Sequence, residues 1–305
     1  MIVLAACSLQ LPSSPEDPLT ELTEVPFFPQ TIHECGPAAL ATVLNYSAAP
    51  TNPEELAHEV YIPGRQGSLQ IEMLAATRSH GRLPFVIEPH LDTLQAELAA
   101  GLPVLVLQDL GALWMHRWHY AVVIGYEPAR DMLILRSGTD RRRLESVERF
   151  VYSWERAGRW GMVVLPPGVL PATATPERYT RALSDAAGRL PARDVTVNLD
   201  AAVARWGNSP TLLFAAANNA YASGDLGRAE GLYRRLLAVD AGQVAARNNL
   251  ATLLLDRGCV TTGQREAAMA LNTAEPVSPF LEALRDTNRR AQALPAAREP
   301  ADCHQ

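Results

Sequence analysis

The stretch that decides the fold is QTIHECGPAALATVL, from Gln30 to Leu44. It places a cysteine directly before Gly-Pro and a run of small and apolar residues, which predicts a helix beginning at Cys35. The unpaired N–H groups at a helix N-terminus carry a partial positive charge, which stabilises a thiolate, the reactive form of cysteine. The choice is therefore between a reactive cysteine and the small buried apolar side chain that cysteine often is.

Composition indicates a globular chain with room for two domains. The 305 residues are 48% hydrophobic and 20% charged, and 27 basic residues stand against 33 acidic ones for a net charge of −6. This balance offers no basic face for phosphates and predicts no nucleic-acid partner. No apolar stretch approaches the ~18 residues that a membrane-spanning helix needs.

The four cysteines, Cys7, Cys35, Cys259 and Cys303, show neither a CxxC pair nor metal-ligand spacing. We therefore expect no metal site and no cofactor. Each cysteine also lies in a different kind of segment, which argues against a disulfide framework. Cys259 and Cys303 could pair, although nothing in the sequence requires it.

The first residues, MIVLAACS, resemble the end of a bacterial lipoprotein signal, in which the cysteine after a Leu-Ala-Ala-type triplet is lipidated. The resemblance implies that residues 1–19 are a truncated signal and a flexible tether, with Cys7 carrying the lipid. It places the protein at the bacterial cell envelope, facing the periplasm, with the lipid anchor as its only link to the membrane. No basic region and only a short apolar run precede Cys7, so either the true start lies upstream or the match is accidental.

The pattern along the chain predicts two domains of different class. Residues 20–165 combine early helices with the apolar strand candidates PFVIEP, LPVLVLQDL, HYAVVIGYEP, DMLILRS and RWGMVVLPPG. They lack βαβ alternation, so an α+β domain with an antiparallel sheet is predicted. Residues 166–176 are proline-rich and without periodicity, as a linker is. Residues 177–293 are alanine-rich and helical, and residues 294–305 are expected to be disordered.

One helical segment, NNAYASGDLGRAEGLYRRLLAVDAGQ, resembles a tetratricopeptide repeat. The repeat's small and aromatic packing positions are occupied by Tyr221, Gly224, Asp225, Ala229 and Tyr233. Steps of about 34 residues, the period of that repeat, reach further helix starts and ends and fit about four units. An unrelated helical bundle is the alternative. Arrays of this kind offer a concave surface, so a peptide or protein partner is expected there.

A nucleophilic cysteine needs a base that can hold its proton, and histidine is the expected partner. Of the seven histidines, most flank Cys35, lie on helices or their ends, or fall in the tail. His119 instead opens the apolar strand HYAVVIGYE and would present its imidazole at the end of that strand. His116 is interpreted as a loop residue near the same cleft.

The pairing of QTIHECGPAALATVL with HYAVVIGYE, which begins 84 residues after Cys35, resembles the bacteriocin-processing, double-glycine leader peptidases. These are papain-like cysteine peptidases, and the resemblance covers about residues 25–165. It is closest to the stand-alone bacterial branch that carries tetratricopeptide repeats. The resemblance implies that Cys35 is the nucleophile and His119 the general base and then acid. It also implies that Gln30 donates to the oxyanion of the tetrahedral intermediate, beside the Cys35 N–H.

Two positions depart from that family's pattern. Gln30 lies five residues before the cysteine, where the transporter-linked members usually have six. The family also has an Asp or Asn at the end of the strand after the histidine, and here that neighbourhood holds Arg136 and Ser137. A fixed arginine charge would disfavour imidazolium, whereas Ser137 could accept a hydrogen bond from the ring. Asp140 could fold back instead, so the orienting residue is Ser137, Asp140 or none.

The sequence thus predicts a cysteine peptidase that needs no cofactor. The Cys35 thiolate attacks a peptide carbonyl, His119 protonates the leaving amine, and water releases the product. The substrate is a peptide or protein, which the helical repeats would recruit. A non-catalytic peptide-binding or scaffold protein with a degenerate cleft is the alternative, and acyl transfer to another amine would use the same residues.

Overall fold

The computed structural model describes residues 19–29, 35–65, 67–112, 114–295 and 303. The chain divides into two compact units: one reaches to Pro166 and includes Pro171–Ala174, and the other contains Pro167–Leu170 and the chain from Thr175 onward. Cys7, on which the lipoprotein expectation depends, lies outside the described residues. No described helix combines the length and apolar character that crossing a membrane requires.

The first unit is built on an antiparallel sheet. Its strands are β1 Thr20–Glu21, β2 Tyr61–Ile62, β3 Gly67–Ser68, β4 Leu83–Val86, β5 Val104–Asp109, β6 Trp118–Glu127, β7 Met132–Ser137, β8 Asp140–Ser146 and β9 Gly161–Leu165. The main sheet has the order β4-β9-β5-β6-β7-β8, with β1 added to β6, while β2 and β3 form a separate hairpin. All the pairs are antiparallel.

Five helices accompany this sheet, and most of them precede its central strands. They are α1 Cys35–Tyr46, α2 Pro53–Val60, α3 Gln70–Ser79, α4 Leu91–Ala99 and α5 Val147–Arg156. Early helices and a later antiparallel sheet without parallel crossovers make an α+β unit. The predicted fold class of this part of the chain is confirmed.

Helix α1 packs on one face of the sheet. It begins at Cys35 as predicted, and its next nine residues, Gly36–Leu44, are all buried. They share a core with Tyr120, Val122 and Ile124 of β6. A helix that is apolar on almost every side must be covered on almost every side, which is why α1 lies at the centre of this unit.

The opposite face of the sheet is covered by α5. Gln108 of β5 donates to Ser153 of α5 over 2.8 Å, and Gln108 is directly opposite His119 in the β5–β6 register. Directly opposed residues of antiparallel strands share a face, and successive residues alternate. His119 therefore lies on the α5 face of β6, whereas Tyr120 lies on the α1 face.

A buried carboxylate of the first unit binds the middle of the stretch expected to be a linker. Glu97 of α4 is fully buried and accepts hydrogen bonds from the Ala172 N–H at 2.9 Å, the Thr173 N–H at 2.9 Å and the Thr173 hydroxyl at 2.5 Å. Three donors satisfy most of the hydrogen-bonding capacity of a buried carboxylate. Pro171–Ala174 is thereby fixed to the first unit.

The second unit is helical. Its helices are α6 Pro176–Asp185, α7 Ala192–Arg205, α8 Pro210–Ala222, α9 Leu226–Val239, α10 Val244–Asp256, α11 Val260–Thr273 and α12 Leu281–Ala293. The predicted helical region after the peptidase-like part is confirmed. Helices α6, α8 and α10 begin at intervals of 34 residues, and so do α7, α9 and α11.

A disulfide joins Cys259 and Cys303 in this unit, so the pairing that the sequence left open is the one observed. Cys303 falls in the stretch expected to be disordered, yet it is fully buried. The disorder expectation is therefore wrong at Cys303, because the disulfide ties this residue to the helical core.

Candidate active site

The thiol of Cys35 lies at the first residue of α1, where the main-chain N–H groups of Tyr120, Gly36 and Cys35 itself face the sulfur. These donors favour the thiolate, but burial raises the pKa of Cys35 by more than they lower it. The helix start therefore does not by itself produce a thiolate at neutral pH. It produces a free, half-buried thiol with donors already aimed at its sulfur.

A cavity of about 660 Å³ opens beside this thiol. It is lined by Cys35, Arg65, Gly67, Ser68, Leu69, Gln70, Leu107, His116, Arg117, Trp118, Tyr120 and Ala157. The lining combines the start of α1, the β2–β3 hairpin and the loop that leads into β6. A cavity of this size, with apolar walls and a few polar groups around a nucleophile, suits a segment of peptide.

His119 is hydrogen-bonded to Ser137, one of the alternatives that the sequence leaves open as its partner. Its Nε2 lies 2.9 Å from the hydroxyl oxygen of Ser137, which is buried at the end of β7. Burial, with the positive charges of Arg143 and Arg117 acting in the same direction, lowers the pKa of His119 to about 4. At neutral pH the imidazole is therefore uncharged.

Arg136, which the sequence disfavours as an orienting residue, and Asp140, the alternative to Ser137, are both placed elsewhere. Arg136 points to the other face of β7 and donates to the carbonyls of Val25 and Thr23, at 2.9 and 3.2 Å. Asp140 begins β8 and is exposed. Adjacent strand residues point in opposite directions, so Ser137 alone of the pair 136–137 can face His119.

The sulfur of Cys35 lies by the main chain at the start of β6, the end of the strand that carries His119. The N–H that faces the sulfur belongs to Tyr120, whose nitrogen is bonded to the carbonyl carbon of His119. His119 is not among the residues that line the cavity, in keeping with its place on the α5 face. Gln30, the expected oxyanion donor, lies outside the described residues.

The arrangement fixes which ring nitrogen can act as a base. If the His119 Nε2–H donates to Ser137, the lone pair of a neutral imidazole is on Nδ1, and Nδ1 can accept a proton. With both the thiol and the imidazole uncharged at rest, the proton leaves the sulfur as attack occurs and not beforehand. Such a site depends on general-base help and not on a preformed ion pair.

A buried carboxylate that sequence reasoning missed secures the loop beside the cavity. The Asp109 side chain has no exposed surface and accepts from the N–H of Gly111, the N–H of Arg117 and His116 Nδ1, at 3.0, 2.9 and 2.7 Å. Arg156 of α5 donates to the same carboxylate through Nε at 3.1 Å and through a terminal nitrogen at 2.7 Å. These donors hold the pKa of Asp109 well below its usual range, although burial opposes them.

The rings of this loop have distinct positions. His116 stacks on Trp118 with ring centroids 5.1 Å apart, and both line the cavity. Trp114 is 86% exposed and is not part of the lining. Of these two tryptophans, only Trp118 forms part of the cavity wall. Within the described ranges, no three His, Cys, Asp or Glu side chains come together as a metal site.

Comparison with known proteins agrees with the two sequence motifs. Residues 22–162 match the model of the Peptidase C39-like family. This match supports a C39-like peptidase fold for the first unit and a general link to cysteine peptidases. No curated protein shows significant similarity to the chain.

Three solved structures illustrate the likeness. A C39-like peptidase from Bacillus anthracis is 16% identical, with a TM-score of 0.41 over 49% of this chain and 98% of that one. A double glycine motif protease from an AMS/PCAT transporter, in complex with the leader peptide, is 20% identical, with a TM-score of 0.37 over 47% and 93%. The peptidase domain of Streptococcus ComA, a bi-functional ABC transporter of a quorum sensing pathway, is 20% identical, with a TM-score of 0.39 over 47% and 99%.

Proposed function

We propose that this protein is a cysteine peptidase that hydrolyses peptide bonds through Cys35. One observation supports this most strongly. A free thiol at a helix start borders a peptide-sized cavity, and the Tyr120 N–H that faces its sulfur directly follows His119, a histidine that is hydrogen-bonded to Ser137. Nucleophilic catalysis uses a nucleophile, a base that takes its proton and a third residue that orients the base.

In the proposed reaction, His119 Nδ1 takes the Cys35 proton while the sulfur attacks the substrate carbonyl. The imidazolium then protonates the leaving amine, and water releases the acyl group with His119 again as base. Gln30 and the Cys35 N–H are the proposed oxyanion donors. Removing one such donor lowers the rate by roughly 10²–10³-fold in other enzymes, and the same loss is expected for Gln30→Ala.

A second candidate, a peptide-binding protein that does not cut, is favoured by the electrostatics of the site. Burial raises the pKa of Cys35, and burial together with two arginines lowers that of His119, so both resting groups are uncharged. Ser137 is also a weaker orienting group than a carboxylate, because it carries no charge to stabilise imidazolium. These features predict slow turnover if the site is active.

The test is hydrolysis of a mixed-sequence peptide library by the full chain, read by mass spectrometry. We expect new termini with the wild type and none with Cys35→Ser. With His119→Asn the rate should fall by about 100-fold or more. His90→Asn, at an exposed helix start away from the cavity, is the matched control. Wild-type inactivity combined with tight peptide binding would favour the second candidate.

The helical unit is proposed to consist of tetratricopeptide-like repeats that recruit the substrate. Helix starts at intervals of 34 residues support this, since that is the period of the repeat. Gly224 and Gly258 also have the same positive φ of 81° one period apart, each at a helix end. Photo-crosslinking of a bound peptide should label this unit, and the absence of crosslinks there would remove the recruitment role.

Lipidation of Cys7 and a location at the cell envelope facing the periplasm are also proposed. The Cys259–Cys303 disulfide supports this location, because disulfides persist in oxidising compartments. Metabolic labelling with a fatty acid should mark the wild type and not Cys7→Ser. A soluble, unlabelled wild-type protein would contradict the proposal.

A further inference from the structure

The cavity beside Cys35 contains an excess of positive charge. Two guanidinium side chains, those of Arg65 and Arg117, are among its lining residues, and no carboxylate of the part of the chain that the structure describes is. The chain as a whole is acidic, with a net charge of −6, so this local excess does not reflect its overall composition. A cleft of one charge sign raises the local concentration of ligands of the other sign.

Among the described residues, neither guanidinium has an ion pair or a hydrogen bond. Arg117 forms hydrogen bonds there only through its main chain, with its N–H donating to Asp109 and its carbonyl accepting from the Leu110 N–H. The carboxylate nearest along the chain to Arg117 is unavailable to its guanidinium, because Asp109 already accepts four hydrogen bonds from Gly111, His116 and Arg156 in addition to the one from the Arg117 N–H. Arg156, by contrast, is fully engaged with Asp109. Arg65 and Arg117 are thus the guanidinium groups of this cavity that are left for a ligand.

We propose that the cleft selects peptides that carry a carboxylate close to the bond at Cys35, and that Arg65 and Arg117 bind this carboxylate. Guanidinium groups match the planar geometry of carboxylates and can bind them in a bidentate way. This inference depends on the proposed function in one respect, which is that the ligand of this cavity is a peptide. Leu69, Leu107 and Trp118 give the neighbouring substrate residues an apolar surface.

Binding of such a carboxylate would also raise the pKa of His119. The positive charge of Arg117 is one of the causes that hold the pKa of His119 low, after burial and Arg143. A carboxylate that pairs with Arg117 cancels part of that field, and the imidazolium formed during attack is then less disfavoured. An acidic substrate would therefore bind more tightly and also be attacked faster.

The binding experiment uses the full chain with Cys35→Ser, so that it does not depend on turnover. Fluorescein-labelled 12-residue peptides from a positional-scanning set are measured by anisotropy, each with Glu or its uncharged isostere Gln at one position. We expect about tenfold tighter binding for Glu at one or two adjacent positions. A second set compares free and amidated C-termini, since the carboxylate could come from a side chain or from the chain end.

Substitutions then locate the preference. Arg65→Gln and Arg117→Gln should each reduce the Glu preference, the double variant should abolish it, and affinity for the Gln peptides should stay within twofold of the parent. Arg130→Gln, an exposed arginine paired with Glu127 outside the cavity, is the matched control and should leave the preference intact. Arg117→Glu should bind peptides with Lys at the selected position better than peptides with Glu.

The outcomes separate this inference from the proposed function. Equal binding of Glu and Gln peptides overturns the inference even if the wild type cleaves both. A Glu preference that depends on Arg65 and Arg117 supports it even if the wild type cleaves neither, which would overturn the proposed function alone. If no peptide binds and none is cleaved, both proposals fail.

Discussion

Two uncharged groups, a thiol and an imidazole, define the candidate site at the level of single residues. Burial raises the pKa of Cys35 and lowers that of His119, so at neutral pH each group is in the form that burial favours. The helix start supplies donors to the sulfur, yet desolvation outweighs them. Catalysis at this site would depend on how well His119 is oriented, and therefore on Ser137.

Ser137→Asp should raise peptide hydrolysis by about tenfold or more. A carboxylate next to the His119 Nε2 favours imidazolium and moves the pKa of His119 upward from about 4, which strengthens the base. Ser137→Ala should lower the rate by about tenfold, through loss of the hydrogen bond. The measurement is kcat/KM for one peptide identified as cleaved.

Ser137 is buried, so thermal unfolding of each variant must be measured beside its activity. A folded Ser137→Asp variant with unchanged or lower kcat/KM would contradict the role given to position 137.

Alkylation of Cys35 by iodoacetamide should rise steeply with pH, with a midpoint above the ordinary thiol value of about 8.5. The reason is that burial raises the pKa of this thiol, so the thiolate is scarce below that midpoint and grows above it. The rate is measured from pH 4 to 10 in Cys7→Ser, which leaves Cys35 as the only free thiol beside the disulfide.

His119→Asn should leave that profile nearly unchanged, because a histidine with a pKa of about 4 is neutral over most of the range. A rate plateau between pH 5 and 7 that disappears in His119→Asn would show a thiolate–imidazolium pair at rest. That result would contradict the electrostatics described for the site.

The sequence predicted only those site residues that belong to a local sequence motif. Cys35 was predicted by its place before an apolar helix. Ser137 was one alternative beside Asp140 or no residue, and the hydrogen bond of Ser137 to His119 and the exposed position of Asp140 distinguish them. Asp109 could not be found this way, because its partners come from a following loop and from Arg156, 47 positions later. No local sequence pattern predicts a contact between residues so far apart along the chain.

Among the helices and strands, the contact of α1 with the β2–β3 hairpin builds one wall of the cavity. A Cβ added at Gly36 would meet the Ser68 hydroxyl oxygen and lie 2.7 Å from the Ser68 Cβ. Gly36→Ala should therefore push the hairpin away from Cys35. We expect a loss of about 1–3 kcal/mol in the free energy of unfolding and a clear fall in peptide hydrolysis.

Gly64→Ala is the matched control, since a Cβ there would meet nothing within 4 Å. Both variants are compared by denaturant unfolding and by hydrolysis. If Gly36→Ala and Gly64→Ala behave alike, close packing of Ser68 on the start of α1 is not what shapes the cavity.

The five apolar strands that the sequence predicts are all present, whereas β8 was missed. Its sequence, DRRRLES, is strongly charged and lacks an apolar alternation. It lies at the edge of the sheet beside β7, and charged edge strands are common because they discourage pairing with other chains. Periodicity detects strands with a buried face and overlooks strands of this kind.

For the whole chain, the disulfide is expected to stabilise the helical unit and not the peptidase-like unit. Cys259 and Cys303 are separated by 44 positions, and closing a loop of this length stabilises a protein by about 2–4 kcal/mol. Reduction, or Cys259→Ser with Cys303→Ser, should lower the unfolding temperature of the helical unit. The measurement is calorimetry with and without reductant.

Peptide hydrolysis at a temperature where both units are folded is the control for that experiment. It should be unaffected by mild reduction, because Cys35 is a free thiol. A reduced protein with an unchanged unfolding profile would show that the bond does not stabilise the helical unit.

The division into a sheet-containing and a helical part followed from changes of period and composition, which are spread over many residues. The disulfide at Cys303 could not be predicted from such changes, because a single cysteine in a polar tail does not indicate which cysteine it pairs with. Glu97 is a similar case, since its three donors lie in a proline-rich segment about 75 positions away. Patterns carried by many residues were predictable, and single long-range contacts were not.

The most direct test of the central claim is to trap an acyl group on Cys35. The full chain is mixed with the 4-nitrophenyl ester of an N-acylated diglycine, quenched with acid, and analysed by intact-mass and peptide-mapping mass spectrometry. We expect a thioester on Cys35 that forms and then decays in the wild type, is absent in Cys35→Ser, and forms at least about 100-fold more slowly in His119→Asn. An adduct at another residue, or formation at the wild-type rate in His119→Asn, would contradict it.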